Sequence, residues 1–186
     1  MFCEVETADE WLGTLSRPLL VVGNAVLSRP VREDGFASII RMNNYAVDAR
    51  SGRKITHWVT SGYMNVKLPA NFTGPAFIPW SREFNQLRPI RWDLEFAKRY
   101  PGRVIFTDSD AHLGGWFSKN AAEVPSTGFC LLAWLVFRRV RGTLVGFDGM
   151  KTGHQSNPAH RHDHLFTRRK EWRIIQFWIQ QKLWTI

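Results

Sequence analysis

Residues 19–57 read LLVVGNAVLSRPVREDGFASIIRMNNYAVDARSGRKITH, and this stretch decides the fold class. It opens on four apolar, β-branched-rich residues, Leu19 to Val22, and breaks at Gly23-Asn24. A second apolar run, Ala37 to Ile40, ends in Arg41-Met42-Asn43-Asn44, and a third, Ile55 to Val59, ends in Thr60-Ser61-Gly62. Short continuous apolar runs bounded by turn residues are the mark of strands buried on both faces. Three such runs, each finishing in small polar residues, predict parallel strands whose ends form one polar rim, where α/β sheets bind ligands. The long connections between them, 25–35 and 43–54, carry Pro30, Gly35 and Gly52 and are expected as loops.

The rest of the chain supplies further elements. Thr7 with Glu10 three residues on has the capping-box pattern and predicts a short helix to Leu15, stopped by Pro18. Short strands are expected at Ala76 to Ile78, Arg103 to Thr107 and Thr143 to Phe147. Ser81 is placed to cap a helix from about Arg82, and a helical pattern leads to Tyr100 before Pro101-Gly102. Pro125-Ser126-Thr127-Gly128 is expected as a turn feeding a buried helix from Phe129 to Val136. Small residues at such a start leave backbone N–H groups for an anion. A last amphipathic helix is expected from about His162 towards Trp184. Alternating strands and helices over 186 residues predict a single domain covering 1–186, with a mostly parallel, Rossmann-like sheet flanked by helices.

Composition narrows the classes. With 44% hydrophobic and 22% charged residues the chain is globular rather than disordered. The formal net charge of +9 favours anionic partners, whether nucleic acid, a membrane surface or small anionic substrates. The cations are scattered apart from Arg138-Arg139-Val140-Arg141 and Arg168-Arg169-Lys170, short runs that usually mark solvated helix faces. Nine tryptophans and thirteen phenylalanines are mainly buried area, with aromatic platforms for sugars or bases as the other use. Cys3 and Cys130 have no metal spacing, and Cys130 lies in an apolar run as a small core residue. No apolar run approaches the ~20 residues of a spanning helix. The N-terminal MFCEVETADEW is no signal peptide, so a soluble, cytoplasmic chain is expected.

The pieces LVVGN, IIRMNN and GRKITHW, in that order, resemble the large sialylmotif of sialyltransferases. Pro125-Ser126-Thr127-Gly128, the apolar helix after it, and the strand ending Val145-Gly146-Phe147-Asp148 resemble the small sialylmotif. The His-rich segment beyond falls where that family keeps its third and very small motifs. The likeness runs from Leu19 to about Glu171. Ala25-Val26 departs from the Ser/Gly of many members, and the stem and membrane anchor of the Golgi enzymes are absent, as in a minimal bacterial or viral-type enzyme of glycosyltransferase family 29 with a GT-A-variant fold.

The resemblance implies an inverting, metal-independent transfer of sialic acid from CMP-sialic acid to a hydroxyl of an oligosaccharide or glycolipid acceptor. No cofactor, no nucleic acid and no transmembrane segment are expected, with peripheral membrane contact left open. It assigns Gly23, Asn24, Asn43, Ser126, Thr127 and Gly128 to the CMP donor. An amide suits ribose hydroxyls and phosphate oxygens, since it donates and accepts without charge. Asn24 and Asn43 are equally at home as turn residues, and Ser126 as a helix cap.

His162 is the expected general base, with His164 as runner-up, and His154 is assigned to the departing phosphate. Thr167 stands where the family has the glutamate paired with that histidine; Glu171 is one helical turn further on. His160, His162 and His164 alternate, which suits a strand more than a helix, and no cysteine or distal carboxylate completes a zinc set. Asp108-Ser109-Asp110 is either a chelating pair or a helix cap. His57 is expected to pack or hydrogen-bond. Three other expectations stand beside this one: transfer of a related CMP-linked ulosonic acid such as Kdo, a degraded relative that binds CMP without turnover, and a basic nucleic-acid-binding domain.

Overall fold

The computed structural model describes residues 8–62, 66–70, 72–79, 96, 98–107, 126–148 and 165–186, with side chains from residue 170 in the last segment. Helix α1 (Ala8–Gly13) precedes five strands, β1 (Leu19–Val22), β2 (Ser38–Met42), β3 (His57–Val59), β4 (Ala76–Ile78) and β5 (Val104–Phe106). Helix α2 (Thr127–Phe137), β6 (Gly142–Val145), helix α3 (Leu165–Gln180) and β7 (Trp184–Thr185) follow. The strands form one sheet in the order β5-β4-β3-β2-β1-β6-β7. Every pairing is parallel. The α/β class and the existence of the first three strands are therefore as the apolar runs predict, although β2 begins at Ser38 rather than Ala37 and β3 at His57 rather than Ile55.

The order has a consequence for ligands. From β1 the chain steps one way through β2, β3, β4 and β5, then returns to place β6 on the other side of β1. The reversal falls between β1 and β6, and a crevice opens at the carboxyl ends of the strands flanking such a point.

Alternation along each strand divides the core in two. Leu19, Val21, Ile40, Met42, Val59, Phe77 and Ile105 point to one face, where Trp11 of α1, Phe129, Leu131, Leu132, Trp134 and Leu135 of α2 and Ile175 of α3 cover them. Trp11 is fully buried, stacked on Phe77 with ring centroids 4.1 Å apart and edge-on to His57 at 5.4 Å. Each such pair adds about 0.5–1.5 kcal/mol beyond the area it buries. Leu20, Val22 and Ile39 face the other way, under Val31 and Phe36 of the β1–β2 connection. Trp58, Ala76 and Ile78 form a separate cluster on that side with Phe96 and Tyr100.

Arg41 sits inside this second layer. Its guanidinium donates to Glu33 Oε1 and the Ser51 carbonyl, both at 2.7 Å, and its Nε donates to the Lys54 carbonyl at 2.8 Å. Glu33 also accepts from the backbone N–H of Arg53 and Lys54, each at 2.9 Å. One buried ion pair thus ties both long connections together. Gly52, at φ 89°, passes so close that a Cβ there would stand 2.7 Å from Arg41 Nη2.

Several boundaries differ from expectation. The last helix does not continue to Trp184. It ends at Gln180, Lys182 takes φ 56°, and the Leu183 N–H bonds the Trp178 carbonyl. Trp184 then pairs with Gly142 as a seventh, two-residue strand and is 1% exposed. Strand β6 stops two residues short of Phe147 because Gly146 turns the chain at φ 74°. The Arg138-Arg139 run is a helix end rather than a helix face: Arg138 caps α2 and Arg139 has φ 58°. Cys130 is buried as expected. Thr7, the helix start near Ser81, and Asp108-Ser109-Asp110 lie outside the described residues.

Candidate functional site

At the reversal point two backbones touch. The Gly23 N–H donates to the Val145 carbonyl at 2.7 Å and the Ala25 N–H to the Gly146 carbonyl at 3.1 Å. A Cβ on Gly23 would stand 2.2 Å from the Gly146 oxygen, and one on Gly146 2.7 Å from the Gly23 oxygen. Both positions therefore require glycine, and the wall they share is peptide group rather than side chain. Asn24 follows at once. It is half-buried, keeps a negative φ, and its buried Oδ1 accepts no hydrogen bond among the described residues. An unpaired buried acceptor costs about 1–3 kcal/mol, so a donor brought by a ligand would relieve it.

Phe147 joins this point to the start of α2: a Cβ on Gly128 would lie 3.1 Å from its ring, and one on Gly23 3.0 Å. Ser126 caps α2, its Oγ accepting from the Phe129 N–H at 3.1 Å. The next two N–H groups, of Thr127 and Gly128, have no acceptor among the described residues. A helix start with spare N–H groups favours an anion.

Asn43 closes the ring. It lies at the end of β2 in the left-handed region, φ 46°, as a turn asparagine can. Its Oδ1 accepts from the Ser61 N–H at 2.7 Å, its Nδ2 faces Thr127 Oγ1 at 3.5 Å, and its carbonyl accepts from the Trp58 indole at 3.1 Å. One amide thus spans the ends of β2 and β3 and the first turn of α2. Gly23, Asn24, Asn43, Ser126, Thr127 and Gly128 are brought to one rim, and Asn43 holds its parts in register.

Glu171 supplies a contact that motif matching does not assign. It reaches across from α3, 6% exposed. Its Oε1 accepts from the Ser126 N–H and its Oε2 from the Ser126 hydroxyl, both at 2.7 Å. The glutamate fixes the turn that presents Thr127 and Gly128. The sequence signal was its position on the apolar stripe of α3, one turn before Ile175, where an acid needs a partner.

His57 is not at the rim. It begins β3, on the opposite edge of the sheet, with Nε2 3.0 Å from Thr14 Oγ1 and Nδ1 2.7 Å from Thr56 Oγ1. Burial holds its pKa down at about 4, so it stays neutral and structural. Burial also pushes Tyr45 up to about 12, against the opposing charge of Arg41, whose guanidinium lies 5.7 Å from the ring centroid. His154, His162 and His164 lie outside the described residues. Among the described residues no group of His, Cys, Asp and Glu is arranged to hold a metal, and no helix is long and apolar enough to cross a membrane.

Comparison with protein-family models, with curated proteins and with solved structures returned no match.

Proposed function

We propose that the chain is an inverting glycosyltransferase that takes a CMP-linked sialic acid, or a closely related ulosonic acid, to a glycan hydroxyl. The observation that carries this reading is the rim itself. Gly23-Asn24 and Ser126-Thr127-Gly128, the donor-binding pieces of the sialylmotif resemblance, lie 102 residues apart in sequence at their nearest, Asn24 to Ser126, yet adjoin one another through Phe147 and Asn43 at the sheet's reversal point. A shared site is what the resemblance requires and what the separate motifs could not guarantee.

The rim suits the donor's chemistry. Asn24 Oδ1 takes a donor from the cytosine amine or a ribose hydroxyl. The Thr127 and Gly128 N–H groups take the phosphate or the sugar carboxylate, both anions. The pure-backbone wall at Gly23 and Gly146 admits a flat ring or a phosphate close to the peptide groups. By the resemblance, His162 removes the acceptor hydroxyl proton as its oxygen attacks the anomeric carbon. The C–O bond to phosphate breaks on the opposite face, His154 hydrogen-bonds the departing phosphate, and CMP leaves with the bonding pair.

The test is CMP titration followed by thermal unfolding. A ligand at ten times its Kd stabilises by about 1.4 kcal/mol, which raises Tm by about 3–6 °C for a chain of this size. No shift at millimolar CMP would overturn the proposal. Hydrolysis of CMP-sialic acid by His162→Ala at the wild-type rate would remove that residue from its role, and absence of turnover in both, with CMP still bound, would identify a binding protein.

A further inference from the structure

The sheet is electrically lopsided. Because all seven strands are parallel, their starts share one edge and their ends the other. Ahead of β1, β3, β5, β6 and β7, within three residues of each, stand Arg17, Lys54, Arg103, Arg141 and Lys182, all exposed. Within four residues ahead of a strand the described chain carries one acid, Asp34, which lies 3.1 Å from Lys54. Within three residues after a strand it carries no lysine or arginine; the polar side chains there are amides and hydroxyls, with Asp148 the one charge.

The same edge exposes aromatic surface. Helices in parallel crossovers run against the strands, so their last turns lie beside the strand starts. Phe137 closes α2 and Phe177 lies in the last turn of α3, 51% and 55% exposed. Arg138 and Arg139 follow Phe137 directly, with Arg138 bonded to Asp9 at 2.8 Å. Cations and exposed rings on one edge match a bilayer interface, where charge meets anionic headgroups and the ring enters the acyl boundary. A duplex phosphate backbone would take the charges but not the rings, which a bilayer interface takes together with them.

From this polarity we infer that the edge of strand starts docks on an anionic membrane surface. The inference is independent of the donor chemistry at the rim. It leaves the rim on the side away from the lipid.

The full chain is mixed with vesicles of phosphatidylcholine, alone and with phosphatidylserine, and bound protein is separated by flotation. Binding is expected only with phosphatidylserine and falls as salt rises. Each cation at such a surface is worth about fivefold in partitioning, so Arg139→Asn with Arg141→Ser lowers it about 25-fold. Asparagine suits the left-handed backbone at position 139, and thermal melting checks that the variant folds. Phe137→Ser with Phe177→Ser weakens binding while leaving its salt dependence. Equal binding to both vesicle types, no binding to either, or phosphatidylserine binding unchanged in the double-arginine variant would overturn the inference. Vesicles left unbound while an oligonucleotide binds would assign the edge to nucleic acid instead.

Discussion

Replacing Glu171 by alanine removes the carboxylate that holds Ser126. Two hydrogen bonds to an ionised acceptor are lost, each 2.7 Å long and set in a site 6% exposed. A bond to a charged group contributes about 1.5–3 kcal/mol. Losing both, with the Ser126 N–H left to find another acceptor, costs about 3–5 kcal/mol, a large share of the stability of an ordinary domain. The measurement is urea unfolding of the wild type, Glu171→Ala, Ser126→Ala and the double variant. Ser126→Ala removes one of the two bonds together with the cap on Phe129, the latter worth about 1 kcal/mol. The coupling between the two positions is expected at about 1.5–3 kcal/mol, with the m-value unchanged. CMP affinity, followed in the same variants, falls with Glu171→Ala, because the turn that presents Thr127 and Gly128 loses its anchor. A coupling energy under about 0.5 kcal/mol, the size seen between independent sites, would refute the clamp.

Three further outcomes are expected. His57 has a folded pKa of about 4 against an ordinary 6.5, so the unfolded chain binds the proton first as pH falls. Stability is then fully present above about pH 6.5 and declines by about 3 kcal/mol down to about pH 4, where the contribution is spent; His57→Gln, compared by urea unfolding across that range, loses this part of the slope. Gly23→Ala forces a Cβ to 2.2 Å from the Gly146 oxygen. It is expected to cost about 2–3 kcal/mol and abolish the CMP-induced Tm shift. Gly13→Ala, with nothing within 4 Å of the new Cβ, is expected to be neutral or stabilising by about 0.4–1 kcal/mol.

Much of the sheet was legible because strands buried on both faces are plain apolar runs, as in Leu19–Val22 and Ala76–Ile78. Their order was not, since nothing local says that β6 returns beside β1. Strand β7 escaped because two residues, Trp184 and Thr185, carry no period, and Leu183 and Trp184 extend the apolar pattern of α3. What stops α3 is a lysine in a left-handed turn, where glycine or asparagine would have given the signal. At the site, Gly23 and Asn43 could be placed at strand ends from their neighbours alone. The contacts that assemble them are long-range: Asn43 with Thr127 across 84 residues, Ser126 with Glu171 across 45. Arg41 follows the second apolar run in sequence, and its partners, Glu33 in the preceding loop and the Ser51 and Lys54 carbonyls in the following one, explain why it is buried.

That buried arginine also sets how the two long connections open. Val31 N–H bonds the Arg50 carbonyl at 2.8 Å, Arg53 and Lys54 N–H bond Glu33, and Arg41 holds the Ser51 and Lys54 carbonyls. The bonds to Glu33 and Arg41 cannot break singly without leaving a charge short of partners, and the Val31–Arg50 bond joins the same two loops. The loops 25–36 and 43–54 therefore unlock as one cooperative unit, and hydrogen exchange at Val31, Arg53 and Lys54 shares a single opening free energy, although these amides belong to two different loops.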